Sequence, residues 1–417
     1  MIKKREIHII GGGLYGCLLA HHLLKKKYKV SIFEKSNSLV NSLNPIKLNS
    51  ILLNNGFHGL DLPRSQALFE FFKKKLKINF NIFEIKRKII FKDSLIDYTS
   101  RLDEWPKKIK SYLKKDIKYY NNQNIDFFFK KEILKLFKKN SLRYFDNYDE
   151  AKSFFLPWFL PADIKHISSD EGDKFRSLIR QKKIKGFVAL PKNHLFKSIQ
   201  KKILKYLVSK GATIHFHTEI KIINNQIKYY KNDREIFFDN HKIKKKFYCL
   251  SSAFLIKDLS ISHFRKLKDY KRFAINCIIK IKDHDFKNNF HEILCLNNKI
   301  PFVNRIYSLN YYRYKKDKKN SYLIVEILAK KNFLSDHNKK NLINEIKQIF
   351  NLKFQPNLID YKVTRQIYSV NEKWIDKSKK ILKNKINKNL NLKYMNNFYP
   401  VNMNKAWINA LNNSKLV

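Results

Sequence analysis

The sequence predicts an α/β fold in which a discontinuous Rossmann-type domain carries an inserted α+β domain. The first observation behind this prediction is a cluster of glycines. The 417 residues contain nine, and four of them, Gly11, Gly12, Gly13 and Gly16, lie within six positions. Because roughly 7% is usual and about 2% is found here, glycine marks positions where the backbone needs it. The second observation is that strand-like segments follow the cluster and then resume only after residue 185.

The N-terminal unit has the order strand, glycine loop, helix, strand and acid. Ile7–Ile10 is a short apolar run, the loop G-G-G-L-Y-G follows, and Cys17–Leu24 is an apolar, helix-compatible run. Tyr28–Phe33 largely alternates as a second strand and ends at Glu34, 18 residues after Gly16. This order and spacing are typical of a dinucleotide-binding βαβ unit.

Each part of this unit has a physical task in dinucleotide binding. Gly11 permits the tight turn, Gly13 lets the backbone approach a pyrophosphate, and Gly16 lets the helix pack against the strand. The helix N-terminus offers N–H groups and positive potential to the phosphates. Glu34 is placed to accept both ribose hydroxyls of an adenosine, and it would repel a 2′-phosphate. NAD and FAD both use this device, so the loop leaves the choice between them open, with a purely structural turn as the alternative.

Downstream segments continue the predicted sheet. We expect a strand at Phe187–Pro191 and a helix over about 194–210, with Gly211 as its C-terminal cap. Further strands are expected at Thr213–Ile223 and Phe247–Ser252. Three isolated glycines are all that follow residue 59, which argues against a second dinucleotide fold of the same kind.

These segments divide the chain into two predicted domains. Residues 1–69, 186–254 and 361–417 form the discontinuous nucleotide-binding domain, and residues 70–185 and 255–360 form a substrate or cap domain. Leu68–Leu76, at the boundary of the two domains, is predicted to be helical and basic. In the second domain, the sequence predicts helices at Leu102–Tyr120, Phe127–Lys139 and Asp170–Gln181 and strands at Phe273–Ile281, Phe302–Ser308 and Tyr322–Ile327.

The formal net charge of +52 comes mainly from lysine. Of the 87 basic residues, 13 are arginines and 74 are lysines, and the lysines are spread along the whole chain. This distribution predicts a solvated lysine surface, with attraction to an anionic substrate and a nucleic-acid or membrane role as alternatives. Nucleic-acid-binding motifs are missing from the sequence, so no nucleic-acid partner is expected.

Cysteine usage and the N-terminus bear on the compartment. The four cysteines, Cys17, Cys249, Cys277 and Cys295, have neither disulfide-framework nor zinc-site spacing, so we expect reduced thiols and no metal. The N-terminus has no signal-peptide pattern, and its apolar stretch is too interrupted to span a membrane. A cytoplasmic protein without a transmembrane segment is therefore expected.

Several of these motifs resemble those of one flavoprotein superfamily. HIIGGGLYGCLLAHHLL with VSIFEK matches a flavin-binding fingerprint, and Asn55–Gly59, Pro301–Ile306 and Val401–Asn404 match shorter patterns in chain order. Together they resemble the FAD-dependent amine oxidase and protoporphyrinogen oxidase superfamily, and most closely UDP-galactopyranose mutase-like flavoproteins. The sequence departs from that pattern at Ser36–Leu39, where the family has an arginine and a glycine, and near Lys393, where it has Gly-Arg.

The resemblance implies FAD as the cofactor of the first domain. It places the pyrophosphate on the glycine loop, the ribose on Glu34, the adenine near Glu219 and Ile220, and the flavin ring between His58 and Met403. The backbone at Asn404 would face the pyrimidine oxygen, where reduction develops negative charge. The predicted cofactor-binding residues are Gly11, Gly13, Leu14, Tyr15, Gly16, Glu34, Lys35, Ile220, Met403 and Asn404.

Candidate catalytic residues are His58, Arg305, Arg365 and Tyr368. His58 lies between two of the rare glycines, and each arginine lies in a strand-like segment with a tyrosine nearby. An arginine beside a tyrosine can hold a phosphate or carboxylate while the ring stacks on a base or sugar. The alternative for each arginine is an ion pair with a carboxylate inside a structural sheet.

These observations predict an FAD-dependent oxidoreductase that passes a hydride from a small-molecule substrate to the flavin. Cell-surface sugar metabolism, with a nucleotide sugar as substrate, is one setting that the resemblance implies. Two alternatives stay open: a UDP-galactopyranose mutase-like isomerase that uses reduced FAD, and an inactive flavin-binding scaffold. The oligomeric state is left open.

Overall fold

A computed structural model gives the fold of the chain over twenty stretches of residues. They are residues 6–48, 51–54, 59–62, 65–84, 86–91, 94–97, 187–192, 196, 198–223, 226–236, 246–250, 271–282, 290, 292–295, 303–308, 319–329, 333–368, 380, 392–394 and 403–415. Three of these stretches, 196, 290 and 380, are single residues. The helices predicted at Leu102–Tyr120, Phe127–Lys139 and Asp170–Gln181 lie outside the described residues.

The described strands and helices are numbered along the chain. The first eight strands are β1 (Glu6–Ile10), β2 (Lys29–Phe33), β3 (Ile46–Leu48), β4 (Ile51–Leu53), β5 (Leu60–Leu62), β6 (Phe80–Glu84), β7 (Arg87–Phe91) and β8 (Ser94–Asp97). The later strands are β9 (Phe187–Pro191), β10 (Thr213–His215), β11 (Thr218–Ile223), β12 (Gln226–Lys231), β13 (Arg234–Ile236), β14 (Lys246–Leu250), β15 (Lys271–Lys282), β16 (Glu292–Cys295), β17 (Val303–Ser308), β18 (Asn320–Ala329), β19 (Asn357–Tyr368) and β20 (Leu392–Tyr394). The helices are α1 (Leu14–Lys25), α2 (Gln66–Glu70), α3 (Ile199–Ser209), α4 (Asp336–Ile349) and α5 (Met403–Asn413). A π-helical turn, Phe71–Lys75, continues α2.

A five-stranded parallel sheet forms the centre of the first half of the fold. Its strand order is β10-β2-β1-β14-β20, and the last two strands come from residues 246–250 and 392–394. All five residues of β1 are buried, as expected for a central strand of a parallel sheet covered on both faces. The structure thus confirms an α/β fold with an interrupted Rossmann-type sheet.

The strand Phe187–Pro191 was predicted in the wrong sheet. It is strand β9, and it pairs antiparallel with β5 and β6 in a separate three-stranded sheet. A short apolar run fits any buried strand, because its hydrophobicity carries no information about which strands lie beside it. The helix that follows, α3, is confirmed, and Gly211 ends it in the left-handed region at φ +90°.

The single strand predicted at Thr213–Ile223 is two strands. The chain breaks at His217, whose φ of +53° lies in the left-handed region. The part before the break, β10, joins the parallel sheet, and β11 begins an antiparallel meander, β11-β12-β13. The break brings the start of β11 beside the end of β2, since the Thr218 N–H donates to the Glu34 carbonyl oxygen at 2.9 Å.

A seven-stranded sheet forms the centre of the second half of the fold. Its order is β19-β15-β18-β17-β16-β7-β8, and its neighbours are antiparallel except for β16 and β7. It contains the three strands predicted between residues 273 and 327. Helix α4 contributes buried Leu342, Ile343 and Ile346 to the core on one face of this sheet. Residues 361–368 continue β19 in this sheet rather than joining the parallel one.

Two hydrophobic cores accompany the two large sheets. The first joins side chains of β1, α1, β2, α2, the π-helical turn, α3 and α5, and the second joins side chains of β15 to β18 with α4. The residue bounds of the two domains stay a prediction. Among the described helices, none is long and apolar enough to cross a membrane.

Candidate functional site

The glycine loop forms a tight connection between β1 and α1. Gly11 has a φ of +97°, which a residue with a side chain rarely adopts, and its N–H donates to the Phe33 carbonyl oxygen at 2.8 Å. A Cβ atom on Gly16 would lie 2.1 Å from the Gly11 carbonyl oxygen. The first turn of α1 therefore packs directly on the backbone that precedes it, as the predicted role of Gly16 requires.

Gly13 lies at the N-cap of α1 and faces open space. A Cβ atom built on it would meet nothing within 4 Å, and the residue supplies no side chain to cap the helix. Leu14, next along, is buried, and α1 has no acidic residue in its first turn. The start of α1 can thus accept an anion against its backbone without rearrangement of the fold.

Glu34 lies beside this loop. Its Oε2 accepts a hydrogen bond from the Gly12 N–H at 2.7 Å, and its Oε1 accepts from the Ser36 N–H and hydroxyl, both at 2.8 Å. A carboxylate has about four lone-pair sites, so an orientation fixed by these bonds still leaves acceptor capacity. The side chain is half-buried, beside the backbone of the glycine loop.

The segment after the acid closes over Gly12 with apolar residues. Leu39 and Val40 are buried, and the Val40 N–H donates to the Gly12 carbonyl oxygen at 2.8 Å. Val40 adopts a left-handed φ of +54°, an uncommon conformation for a β-branched residue. The family that the sequence resembles has an arginine and a glycine in this segment. Here the segment instead packs apolar side chains against the loop.

The predicted adenine-side residues lie at the start of the meander. Lys35 is exposed and its Nζ lies 3.6 Å from Glu219 Oε1, while Lys221 Nζ lies 3.5 Å from Glu219 Oε2. Ile220 is buried. The hydrogen bond between Thr218 and Glu34 therefore brings Lys35 and Ile220 to the same edge of the sheet as the acid.

Helix α5 connects the C-terminal segment to the glycine loop. Met403 begins the helix and packs, half-buried, against the first core. Asn404 lies in its first turn. Near its end, the Asn413 amide donates to the Tyr15 hydroxyl at 2.8 Å. Because Tyr15 lies on the first turn of α1, this bond joins the C-terminal end of α5 to the start of α1.

The structure places the candidate catalytic residues in different ways. His58 lies outside the described residues. Arg365 and Tyr368 lie on β19, opposite Ala274 and Lys271 of β15. Arg305 lies on β17, three strand spacings from β19, which is roughly 14 Å. The two arginines are therefore not neighbours in the sheet.

Arg305 forms an ion pair with a carboxylate inside the sheet. Its Nε lies 2.9 Å from Oε1 of Glu292, whose side chain is 1% exposed. This is the structural alternative considered for the arginine, and it neutralises much of the guanidinium charge. Glu326, also buried, is paired in register with Arg305 and with Asn276. This row of polar residues was not predicted, although Glu326, an acidic residue within the predicted strand Tyr322–Ile327, was an available signal.

We predict that Glu292→Gln lowers the free energy of unfolding by about 3 kcal/mol, because one partner of a buried ion pair is removed and the other loses its counter-charge. Urea denaturation of Glu292→Gln, Arg305→Gln and the double variant checks this. If the pair is coupled, the double variant should lose less than the two single losses combined. Additive losses would contradict the coupling.

Comparisons with known proteins agree with this geometry. Residues 9–74 match the family profile described as an NAD(P)-binding Rossmann-like domain. This part of the chain, with the glycine loop, α1 and Glu34, is a Rossmann-like domain. A search of curated protein sequences finds no significant match.

Solved structures extend the likeness to the whole chain. Reduced UDP-galactopyranose mutase is similar with a TM-score of 0.63 and 13% identity, covering 99% of this chain and 94% of the other. A candidate protoporphyrinogen oxidase from Exiguobacterium sp. 255-15 has a TM-score of 0.61 and 10% identity, covering 100% of this chain and 99% of the other. Wild-type putrescine oxidase bound to putrescine has a TM-score of 0.60 and 9% identity, covering 99% of this chain and 98% of the other. The chain thus shares the fold of these three solved structures.

Proposed function

We propose that this protein binds FAD and is an FAD-dependent oxidoreductase acting on a small-molecule substrate. The observation that carries the proposal is the open space at Gly13, at the start of α1 and beside the Glu34 carboxylate. Backbone N–H groups and an acid in this arrangement suit a pyrophosphate followed by a ribose. The likeness to flavoprotein folds favours FAD over NAD as the dinucleotide.

The residues present fit the cofactor at four points. Gly11, Gly13, Leu14, Tyr15 and Gly16 would hold the pyrophosphate, and Glu34 would accept the ribose hydroxyls. Lys35 and Ile220 would border the adenine, and Met403 and Asn404 would border the flavin ring. When bound, FAD supplies a hydride acceptor. The chain's own part is to fix the cofactor, orient the substrate and exclude water.

The ion pair of Arg305 bears on the substrate. A guanidinium already bonded to Glu292 has less charge to offer a pyrophosphate, so Arg305 favours a substrate that is not a nucleotide sugar. A mutase-like isomerase is the second candidate, because reduced UDP-galactopyranose mutase is among the structures that share the fold. An inactive flavin-binding scaffold is the third. His58, Arg365 and Tyr368 stay proposed substrate-side residues.

The absorption spectrum of the purified protein tests the cofactor. We expect a yellow protein with flavin absorbance, and we expect Gly13→Glu to abolish it, because the new side chain would fill the open space with negative charge. The fold should survive, since the Gly13 φ of −64° suits any residue. A folded, colourless wild-type protein that binds NAD would overturn the flavin proposal.

Titration with substrates separates the candidate functions. An oxidoreductase should bleach its flavin with a donor substrate under anaerobic conditions. A mutase-like isomerase should bind UDP-sugars only after chemical reduction of the flavin. A flavin that no amine, alcohol or sugar donor reduces, and that responds to no UDP-sugar in either state, would favour the scaffold.

A further inference from the structure

The far end of α1 from the glycine loop is strongly basic. Lys25 ends α1 and is followed by Lys26 and Lys27, Lys73–Lys75 form the end of the π-helical turn, and Lys210 follows α3. All seven of these lysines are exposed, and together they are called the lysine patch here. Because α1 has 12 residues, the patch lies about 18 Å along the helix from Gly13.

Buried contacts show that the three segments meet at one place. His21 of α1 lies 2.7 Å from the Tyr206 hydroxyl of α3, and its ring lies 4.6 Å from that of Phe71 in the π-helical turn. Burial lowers the pKa of His21, and the charges of Lys25, Lys75 and Lys210, which all act on this ring, lower it further. The three lysines are therefore brought together by packing and not only by composition.

The patch has almost no acidic counterpart. Glu70 is the one acidic residue in segments 14–28, 66–78 and 198–212, and its carboxylate is bonded to Lys74 at 3.0 Å. Close like charges repel one another, so an anionic surface that comes near this end of the fold lowers the electrostatic free energy. The patch is remote from Gly13, so such a surface would not compete with a ligand on the loop.

We propose that the lysine patch docks this protein on an anionic phospholipid bilayer. Lysines act as point charges whose attraction to lipid phosphates adds up without a defined geometry. The same three segments contain no arginine, and their phenylalanines, Phe69, Phe71 and Phe72, are buried, which disfavours stacking on bases. Val208, 52% exposed on α3, adds an apolar contact beside Lys210.

The test compares two triple variants of equal charge. The first, Lys25→Gln with Lys75→Gln and Lys210→Gln, removes one lysine from each segment of the patch. The second, Lys282→Gln with Lys340→Gln and Lys362→Gln, removes three exposed lysines from the seven-stranded sheet and α4. Both lower the net charge equally, so only position differs. Thermal melting and the absorption spectrum check that each variant is folded as the wild type is.

Sedimentation with vesicles of phosphatidylcholine, with and without phosphatidylglycerol, measures docking. We expect wild-type binding only with phosphatidylglycerol, falling steeply with added salt. The patch variant should bind about 100-fold more weakly, because each of the three lysines contributes about 1 kcal/mol to binding. The control variant should bind nearly as well as the wild type. Equal losses in the two variants, binding independent of phosphatidylglycerol, or patch-dependent retention on RNA without vesicle binding would each overturn the proposal.

Discussion

Gly16→Ala should lower the free energy of unfolding by about 3 kcal/mol or more. The added Cβ would lie 2.1 Å from the Gly11 carbonyl oxygen and 3.3 Å from its carbonyl carbon. Neither atom can easily move away, because Gly11 is fixed at φ +97° and its N–H is bonded to Phe33 of the neighbouring strand. The clash is with backbone at the centre of the fold, and a change of rotamer cannot relieve it. The shift of the urea midpoint measures the loss.

Gly13→Ala is the matched control. It places the same methyl group three residues earlier, where nothing lies within 4 Å and the backbone conformation suits alanine. Its unfolding free energy should be unchanged or higher by up to about 1 kcal/mol, because alanine restricts the unfolded chain. Its affinity for FAD should fall under the proposed function. Equal destabilisation by the two alanines would contradict the assigned roles of the two glycines.

The two glycines also show what the sequence could establish about the site. Their spacing, the apolar strand before them and the acid after them all follow from local constraints: a tight turn, a close helix-strand contact and an acceptor at a strand end. Such constraints act within about 30 residues, and each one restricts which residue type can occupy a given position. The βαβ unit and Glu34 were therefore predictable without any knowledge of the rest of the chain.

Features that depend on distant partners were not predictable in this way. Phe187–Pro191 is apolar enough for either sheet, and its pairing with β5 and β6 is decided by segments more than 100 residues earlier. The bond between Arg305 and Glu292 depends on the register of β16 and β17. Val40 shows a further limit. It is buried against the loop in a left-handed conformation that glycine or asparagine usually adopts, so its residue type gave no sign of this backbone.

The second large effect concerns two adjacent histidines buried under α5. His21 and His22 lie on α1 and are almost fully buried, and the ring of Trp407 lies 5.9 Å from the first and 4.8 Å from the second. Among the described residues, His22 Nε2 has no hydrogen-bond partner. The nearby charged groups are lysines: Lys25, Lys75 and Lys210 around His21, and Lys25 and Lys26 around His22.

Burial, reinforced by these positive charges, lowers the pKa of His21 to about 3 and that of His22 to about 4. Both rings are neutral in the folded protein at pH values where an unfolded chain, with a histidine pKa near 6.5, binds protons. The unfolded state thus takes up more protons below pH 6.5, and stability is lost as the pH falls toward 4. Each histidine contributes a slope of up to about 1.4 kcal/mol per pH unit.

We therefore expect the unfolding free energy to fall steeply between pH 6.5 and about 4, and His22→Phe to reduce that slope. Phenylalanine keeps the ring packing against Trp407 and removes the proton site. Urea midpoints measured across this range check the prediction, with His337→Gln, an exposed histidine of α4, as the control. Burial also lowers the pKa of His215, so this histidine adds to the slope in every variant. Burial alone would raise the pKa of Glu6, but its hydrogen bonds and charge interactions with His8 and Lys29 lower it, so this carboxyl contributes mainly below the range. An unchanged slope in His22→Phe, or an equal change in the control, would show that the acid sensitivity arises elsewhere.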